Sequence, residues 1–531
     1  MWSSVPAPRK FSVNSSLLAS VEGPLGAVLV GSLHRVVPGR ALALGHPNPL
    51  PDLATSSTRR RSRYRDGVSD VGERQLNEQL SELVDLLPAG SGAVIADPDV
   101  TATYSQDFSR YPGVGRPLAV VRAESRADVQ TVLRWATAHH VPVVPRGAGT
   151  GLAGGATAVD GSIVLSLERM DRVTVDRAAR VAVAQPGALN VEVKRAAAEQ
   201  GLWYPPDPSS YEICSIGGNA ATNAGGLCCV KYGVTSDYVL GMEVVLADGA
   251  ALRLGGPRLK DSAGLSLTKL FVGSEGTLGI ITELTLRLLP TPPPAATLAA
   301  SFPALEDAVA AVLGMLAEGR PSTLELMDRV SINAVEDVFQ MDLDRAAAAL
   351  IIARSDAAGA AGGAEIEAMA AICREHDATE VYTTADVEEG EMFLAARRAA
   401  IPALERKGDL LIEDVGVPIP NLPALVAGIE AIAAEHDTIV SLCAHAGDGN
   451  THPTIVYDAA DTNASARADK AFAAIMDLAL ELGGTITGEH GVGRWKRPWL
   501  AGYLGPDVLE VSRRIKDALD PDGILNPGAM F

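Results

Sequence analysis

The apolar positions of the chain change period several times. Ser125 stands three residues ahead of Asp128, and Val129, Val132, Leu133 and Ala136 recur at helical spacing, which predicts a capped helix. Val141-Pro142-Val143-Val144 predicts a buried strand running into a glycine-rich stretch, and Ser162 to Leu167 predicts another strand. Residues 238–254 read as two strands joined at Asp248-Gly249. Pro290-Thr291-Pro292-Pro293-Pro294 is a connector that marks a domain boundary. Beyond it, residues 295–440 alternate helical and strand patterns, with alanine-rich helices over 304–318 and 424–435. A strong helix is predicted over 464–482, with Phe472, Ile475, Met476, Ala479 and Leu482 on one face and Gly483-Gly484 as its stop.

Composition changes this picture at the N-terminus. Residues 1–65 carry nine basic and two acidic side chains, a charge of +7, against −27 for the remainder of the −20 chain. That segment is rich in Ser, Pro and Gly and has no sustained period, so a disordered or non-native extension is expected over 1–70. Its Arg-rich, acid-poor character also fits an organellar transit peptide. No run of 18 apolar residues occurs, which argues against a membrane-spanning helix. A net charge of −20 makes binding to nucleic acid through phosphates a poor fit. The five cysteines form no CxxC pair and no disulfide framework, as expected of a reduced, cytoplasmic protein. Arginine far outnumbers lysine and alanine is abundant, a bacterial signature.

Three glycine runs carry the first chemistry. Arg146-Gly147-Ala148-Gly149-Thr150-Gly151 follows a strand and continues to Gly154-Gly155, so bare backbone N–H groups can approach a phosphate. Glu168, about 20 residues on, invites a dinucleotide-fold reading, as a ribose acid. The dozen residues between Gly151 and Ser162 are too few for turn, helix and return, so the loop is read as a phosphate cradle between strands. Pro205-Pro206-Asp207-Pro208 leads into a second run, Ser215 to Gly226, and Gly273-Ser274-Glu275-Gly276-Thr277-Leu278-Gly279 is the third. Small residues at these positions let something bulky and flat lie against the backbone.

Histidines and carboxylates supply the second. His445-Ala446-Gly447-Asp448-Gly449-Asn450-Thr451-His452 lies between two apolar strands and reads as a hairpin whose histidines sit at the strand ends. Facing hairpin positions have Cβ atoms ~4.5–5.5 Å apart, so the pair can converge on one ion or be satisfied by loop backbone; spacing does not choose. Gly488-Glu489-His490-Gly491 sets an adjacent Glu and His between glycines. A two-His, one-carboxylate set also describes a non-haem iron oxygenase, but the three glycine runs have no task in that reading.

Together these motifs resemble the FAD-linked oxidases of the vanillyl-alcohol oxidase and para-cresol methylhydroxylase fold, in the group of the glycolate oxidase D subunit, D-lactate dehydrogenase and D-2-hydroxyglutarate dehydrogenase. The resemblance spans roughly residues 75–531. It implies an α+β architecture: an FAD-binding domain (71–291), an α+β substrate or cap domain (295–440) and a C-terminal catalytic segment (441–531) returning to the flavin. It implies that Arg146 to Gly151 hold the pyrophosphate and that Gly217, Gly218, Asn219, Thr222 and Asn223 line the flavin and ribityl region. Glu275, Gly279 and Ile281 fall by the nucleotide half, and Pro206 and Asn526 complete the cofactor set. Thr150 stands near the position where some members carry a flavin-linking histidine, so a non-covalent FAD is implied.

His445, His452 and Glu489 match the family's ligands for a divalent metal (Zn, Mn or Fe), and His490 matches its catalytic base. Arg397 matches its substrate-carboxylate arginine, with Arg398 a close rival. Leu411-Ile412-Glu413-Asp414 replaces the lysine that some 2-hydroxyglutarate dehydrogenases carry, which favours a monocarboxylate. The expected activity is oxidation of a 2-hydroxy acid, D-lactate or glycolate in type, to the 2-oxo acid. The expected electron acceptor is a quinone, a cytochrome, an electron-transfer flavoprotein or partner subunits, reached from the cytoplasm or peripherally at the inner membrane. The alternative is a flavin subunit inactive without its partners.

Overall fold

The computed structural model describes residues 70–87, 94–109 and 111–531. The expected extension over residues 1–70 lies outside the described residues except for Asp70. The helix Asp70–Leu86 opens the described chain, and Leu83 and Leu87 pack into the core that also holds Val129, Val132 and Leu133 of the helix Arg126–His139. That second helix starts as the sequence predicts: Ser125 accepts from Asp128 N, and the Asp128 carboxylate accepts from Ser125 N. The box satisfies two donors that a helix N-terminus otherwise leaves open.

The described residues form four sheets, the smallest pairing Leu202–Trp203 with Leu289–Pro290. The first has the order Val94–Ile95, Ala119–Arg122, Ile163–Ser166, Val143–Arg146, with its last three strands parallel. Val143–Arg146 and Ile163–Ser166 are direct parallel neighbours, and no helix intervenes between them. The glycine-rich segment is therefore a loop crossing one end of the sheet. The C-terminal segment returns to this sheet, where Leu525 bridges Val143.

The second sheet is antiparallel, in the order Val173–Asp176, Val181–Ala184, Ile280–Arg287, Val239–Val245, Ala251–Gly255. Its last two strands are the pair predicted around Asp248-Gly249.

The third sheet has eight strands, all paired antiparallel, beginning at Ala296 just after the proline connector. Thr323–Asp328 pairs with Ile439–Ala444, which pairs with Asn450–Tyr457, which in turn carries Asp409–Ile412 and Val415–Gly416. The helices Leu305–Glu318, Leu422–Glu435 and Thr462–Glu481 contribute Val309, Leu425, Phe472 and Ile475 to its core. The boundary expected between residues 440 and 441 falls inside this sheet. Ile439–Ala444 is hydrogen-bonded on both sides, so the hairpin belongs to the body assigned to 295–440.

Candidate active site

The three glycine runs meet at one cavity of ≈ 1250 Å³, open to solvent on one side. Arg146, Gly147, Ala148, Gly149, Thr150 and Gly151 line it, as do Gly217, Gly218, Asn219, Thr222, Glu275, Gly279 and Ile281. Ser215 ties two of the runs together, since its hydroxyl accepts from both Ala148 N and Gly218 N at 3.3 Å. A Cβ at Gly147 would sit 2.1 Å from that hydroxyl, and one at Gly217 would sit 2.8 Å from the Pro186 carbonyl. The cradle therefore needs glycine at both places. A wall of small residues and backbone groups beside a parallel-sheet edge suits a long, flat dinucleotide. No histidine occurs in the loop 146–155.

Pro206, Asn223 and Asn526 do not line the cavity. The Pro206 carbonyl accepts from Asn190 Nδ2 at 3.3 Å, and Asn223 ends a helix with φ 56° while accepting from Ser236 N. Asn526 donates to the carbonyls of Gly155 and Glu275 and accepts from Arg494, so it braces the loops that form the wall. Glu275 lines the cavity, yet its carboxylate accepts from Val492 N and Gly493 N at 2.7 Å and so ties down the chain just past His490. Glu168, the tempting ribose acid, accepts from the Tyr104 hydroxyl at 2.9 Å and does not line the cavity.

Glu489 and His490 stand on the far wall of the same cavity. Glu489 also lines a second cleft of ≈ 970 Å³, together with His445, Asp448 and Asn450. His452 lies in the strand Asn450–Tyr457 opposite Cys443, while His445 occupies the first turn residue. The two histidines thus converge on Glu489 without facing each other across the ladder. Glu489 Oε1 lies 3.8 Å from His445 Nε2 and 3.6 Å from His452 Nε2.

Both imidazoles are oriented from behind. His452 Nδ1 donates to the Glu413 carbonyl at 2.8 Å. His445 Nδ1 lies 2.6 Å from Glu325 Oε1, and Arg397 Nε lies 3.1 Å from Glu325 Oε2. Burial pushes the Glu325 carboxyl well above the usual carboxylate range, against the pull of the adjacent guanidinium. With a cation beside Oε2, Glu325 is the acceptor and His445 Nδ1–H the donor. Burial holds both histidines neutral, well below the usual imidazole range. Each therefore turns its Nε2 toward the same carboxylate oxygen, and His452 Nε2 also accepts from Asn450 Nδ2 at 3.4 Å. Tetrahedral ligands at ~2.0–2.1 Å from an ion are spaced ~3.3 Å apart; the two Glu489 distances are near that spacing, while the two imidazoles, with ring centroids 6.4 Å apart, would have to draw together to share an ion.

A second grouping, Asp414 with His452 and His490, has ligand atoms within 4.8 Å of one another. The Asp414 oxygens are already occupied by donors from residues 487–490, and His452 Nδ1 by Glu413 O. In this grouping the donor atoms are close together, but Asp414 Oδ2 is committed to the backbone of residues 488–490.

His490 stacks on His452, with centroids 4.7 Å apart and planes at 21°. Neither of its ring nitrogens has a hydrogen-bond partner, though both are buried. Burial lowers its pKa to about 4, so the ring is neutral and can accept a proton. Arg397 is buried against Glu325, behind His445, and lines neither cavity. Arg398 lies over the Tyr211 ring at 5.5 Å. Glu325 escaped the sequence reading. It sits within the apolar strand Thr323–Asp328, and nothing local marks it as part of a site 120 residues away.

Similarity to known proteins extends over most of the chain. Residues 117–255 match the FAD binding domain and residues 291–530 the C-terminal domain of FAD linked oxidases. The chain is 40% identical over 467 residues to the glycolate oxidase subunit GlcD of Bacillus subtilis, covering 87% of this chain and 97% of that protein. It is 34% identical over 478 residues to the D-lactate dehydrogenase of Anaerostipes hadrus, covering 86% and 99%. Substrate-bound p-cresol methylhydroxylase shares the fold with a TM-score of 0.73 at 19% identity, covering 87% of this chain and 98% of that one. Among the described residues, no helix is long and apolar enough to cross a membrane. The chain belongs to the FAD-linked oxidases, oxidoreductases built on the vanillyl-alcohol oxidase and p-cresol methylhydroxylase fold.

Proposed function

We propose that the protein oxidises a short 2-hydroxy monocarboxylate, D-lactate or glycolate in type, to the 2-oxo acid. The observation that carries this reading is His490, a neutral, half-buried imidazole whose two ring nitrogens are buried without a hydrogen-bond partner, on the wall of the flavin cavity and adjacent in sequence to Glu489. Bound FAD, held non-covalently by the glycine cradle, supplies the two-electron acceptor. A divalent ion held by His445, His452 and Glu489 supplies polarisation of the substrate hydroxyl.

The chain's own residues do the rest. His490 takes the hydroxyl proton at a ring nitrogen. Arg397, whose Nε faces Glu325 Oε2 and which lies outside both cavities, acts on the site through Glu325 and His445. The preference for a monocarboxylate rests on Leu411-Ile412-Glu413-Asp414, which places no lysine before Val417-Pro418. The name of the Bacillus subtilis relative, a subunit, favours a second reading in which electrons leave through partner proteins. Quinones, cytochromes or electron-transfer flavoprotein are the other acceptors compatible with the fold. Turnover of D-lactate, glycolate and D-2-hydroxyglutarate by the isolated protein with an artificial dye acceptor tests both readings. No turnover of any of them defeats the first, and activity restored by added partner subunits supports the second.

A further inference from the structure

Asp414 is fully buried at the strand position opposite His452, in the register that pairs Ile412 with Thr454 and Val415 with Thr451. Its Oδ2 accepts from Gly488 N at 3.0 Å, Glu489 N at 3.0 Å and His490 N at 2.8 Å, three consecutive backbone donors, and from the Thr487 hydroxyl at 2.5 Å. Lys496 Nζ, itself buried, lies 3.4 Å from the same oxygen. The loop reaches this carboxylate because Thr485 N donates to Gly416 O at 2.7 Å, which lays residues 485–490 alongside 414–416.

We propose that Asp414 is a positioning residue that fixes Glu489 and His490 at once, setting both the metal geometry and the reach of the base. The inference rests on the function proposed above. The glycines flanking Glu489-His490 leave that dipeptide without secondary structure of its own, so its path is defined by what its backbone donors bond to. Charge-assisted hydrogen bonds of this kind are roughly twice as strong as neutral ones, and a nest of successive N–H groups selects an anion. One carboxylate oxygen thus anchors a ligand and a base that belong to different chemical tasks.

The test uses the full-length, FAD-loaded protein and two variants, Asp414→Asn and Thr487→Val. Zn²⁺ is removed by a chelator and returned by titration without substrate, and kcat per bound flavin is then read with saturating Zn²⁺, D-lactate and a dye acceptor. Asp414→Asn is expected to weaken Zn²⁺ binding about 10–100-fold and to lower kcat by a similar factor, with flavin retained. Thr487→Val, which removes one donor, shifts both in the same direction by several-fold. Wild-type Zn²⁺ affinity and kcat in folded Asp414→Asn, with only its melting temperature lowered, overturn the inference. If Asp414→Asn does not fold, Thr487→Val decides alone, and wild-type values there overturn it. His445→Ala and His490→Asn serve as controls. Full D-lactate turnover in those two defeats the proposed function, whereas its loss there alongside wild-type values in the Asp414 and Thr487 variants defeats the positioning role alone.

Discussion

Glu325→Gln isolates the device behind His445. The native carboxylate lies 2.6 Å from His445 Nδ1 and 3.1 Å from Arg397 Nε, and Glu325 has no solvent exposure. Replacing it with the isosteric amide removes the charge that faces a buried guanidinium. Removing one partner of a buried ion pair costs about 3–5 kcal/mol, and the retained amide oxygen puts the expected loss at the lower end, about 3 kcal/mol. The second effect is on the imidazole. A neutral acceptor orients His445 less firmly and makes its Nε2 less basic, which costs about 10–100-fold in metal affinity. That factor equals about 1.4–2.7 kcal/mol, separate from the loss of folding stability. Urea unfolding of the metal-free protein measures the first term, and competition for Zn²⁺ with a coloured chelator measures the second. Lowered stability with unchanged Zn²⁺ affinity would refute the claim that Glu325 tunes a ligand. Unchanged stability would refute the buried pair itself.

Other outcomes follow from the same geometry. His490→Asn is expected to keep FAD and Zn²⁺ while turnover falls about 10²–10⁴-fold, the usual worth of a general base; loss of metal as complete as in His445→Ala would make His490 a ligand. His452→Ala is expected to lower Zn²⁺ content and turnover together and to leave the flavin spectrum intact, because the cradle is built from other elements. Gly217→Ala is expected to reduce flavin content, since its Cβ would lie 2.4 Å from Pro186 Cβ and 2.8 Å from the Pro186 carbonyl; undiminished flavin per chain would show that this wall yields. Acid precipitation of the holoprotein is expected to release the yellow colour, and colour retained in the pellet would mean a covalent bond.

Much of the scaffold was legible because it is written locally. The Ser125–Asp128 box, the turn at Asp248-Gly249 and the glycine stop after Glu481 each occupy a few consecutive residues. The short spacing from Gly151 to Ser162 sufficed to exclude a crossover helix, and the parallel pair Val143–Arg146 and Ile163–Ser166 has none. The long-range features were not legible. Glu325 reads as an ordinary strand residue, and Asp414 drew notice only as part of a segment lacking a lysine. Their roles arise from partners at sequence separations of 120 and 73–76. Asn526 braces Gly155, Glu275 and Arg494, partners that a local motif does not reveal. The boundary at 440/441 failed for a similar reason: a catalytic-looking hairpin is also two strands of a sheet begun at Ala296.

The most direct test is anaerobic reduction of the bound flavin. The purified holoprotein is mixed, in the absence of any acceptor, with D-lactate, glycolate or D-2-hydroxyglutarate while the visible flavin absorbance is followed. The account predicts that D-lactate or glycolate bleaches the band and leaves one equivalent of 2-oxo acid per flavin, with D-2-hydroxyglutarate far slower. A flavin that stays oxidised with both monocarboxylates, in protein carrying its full complement of Zn²⁺, would contradict it.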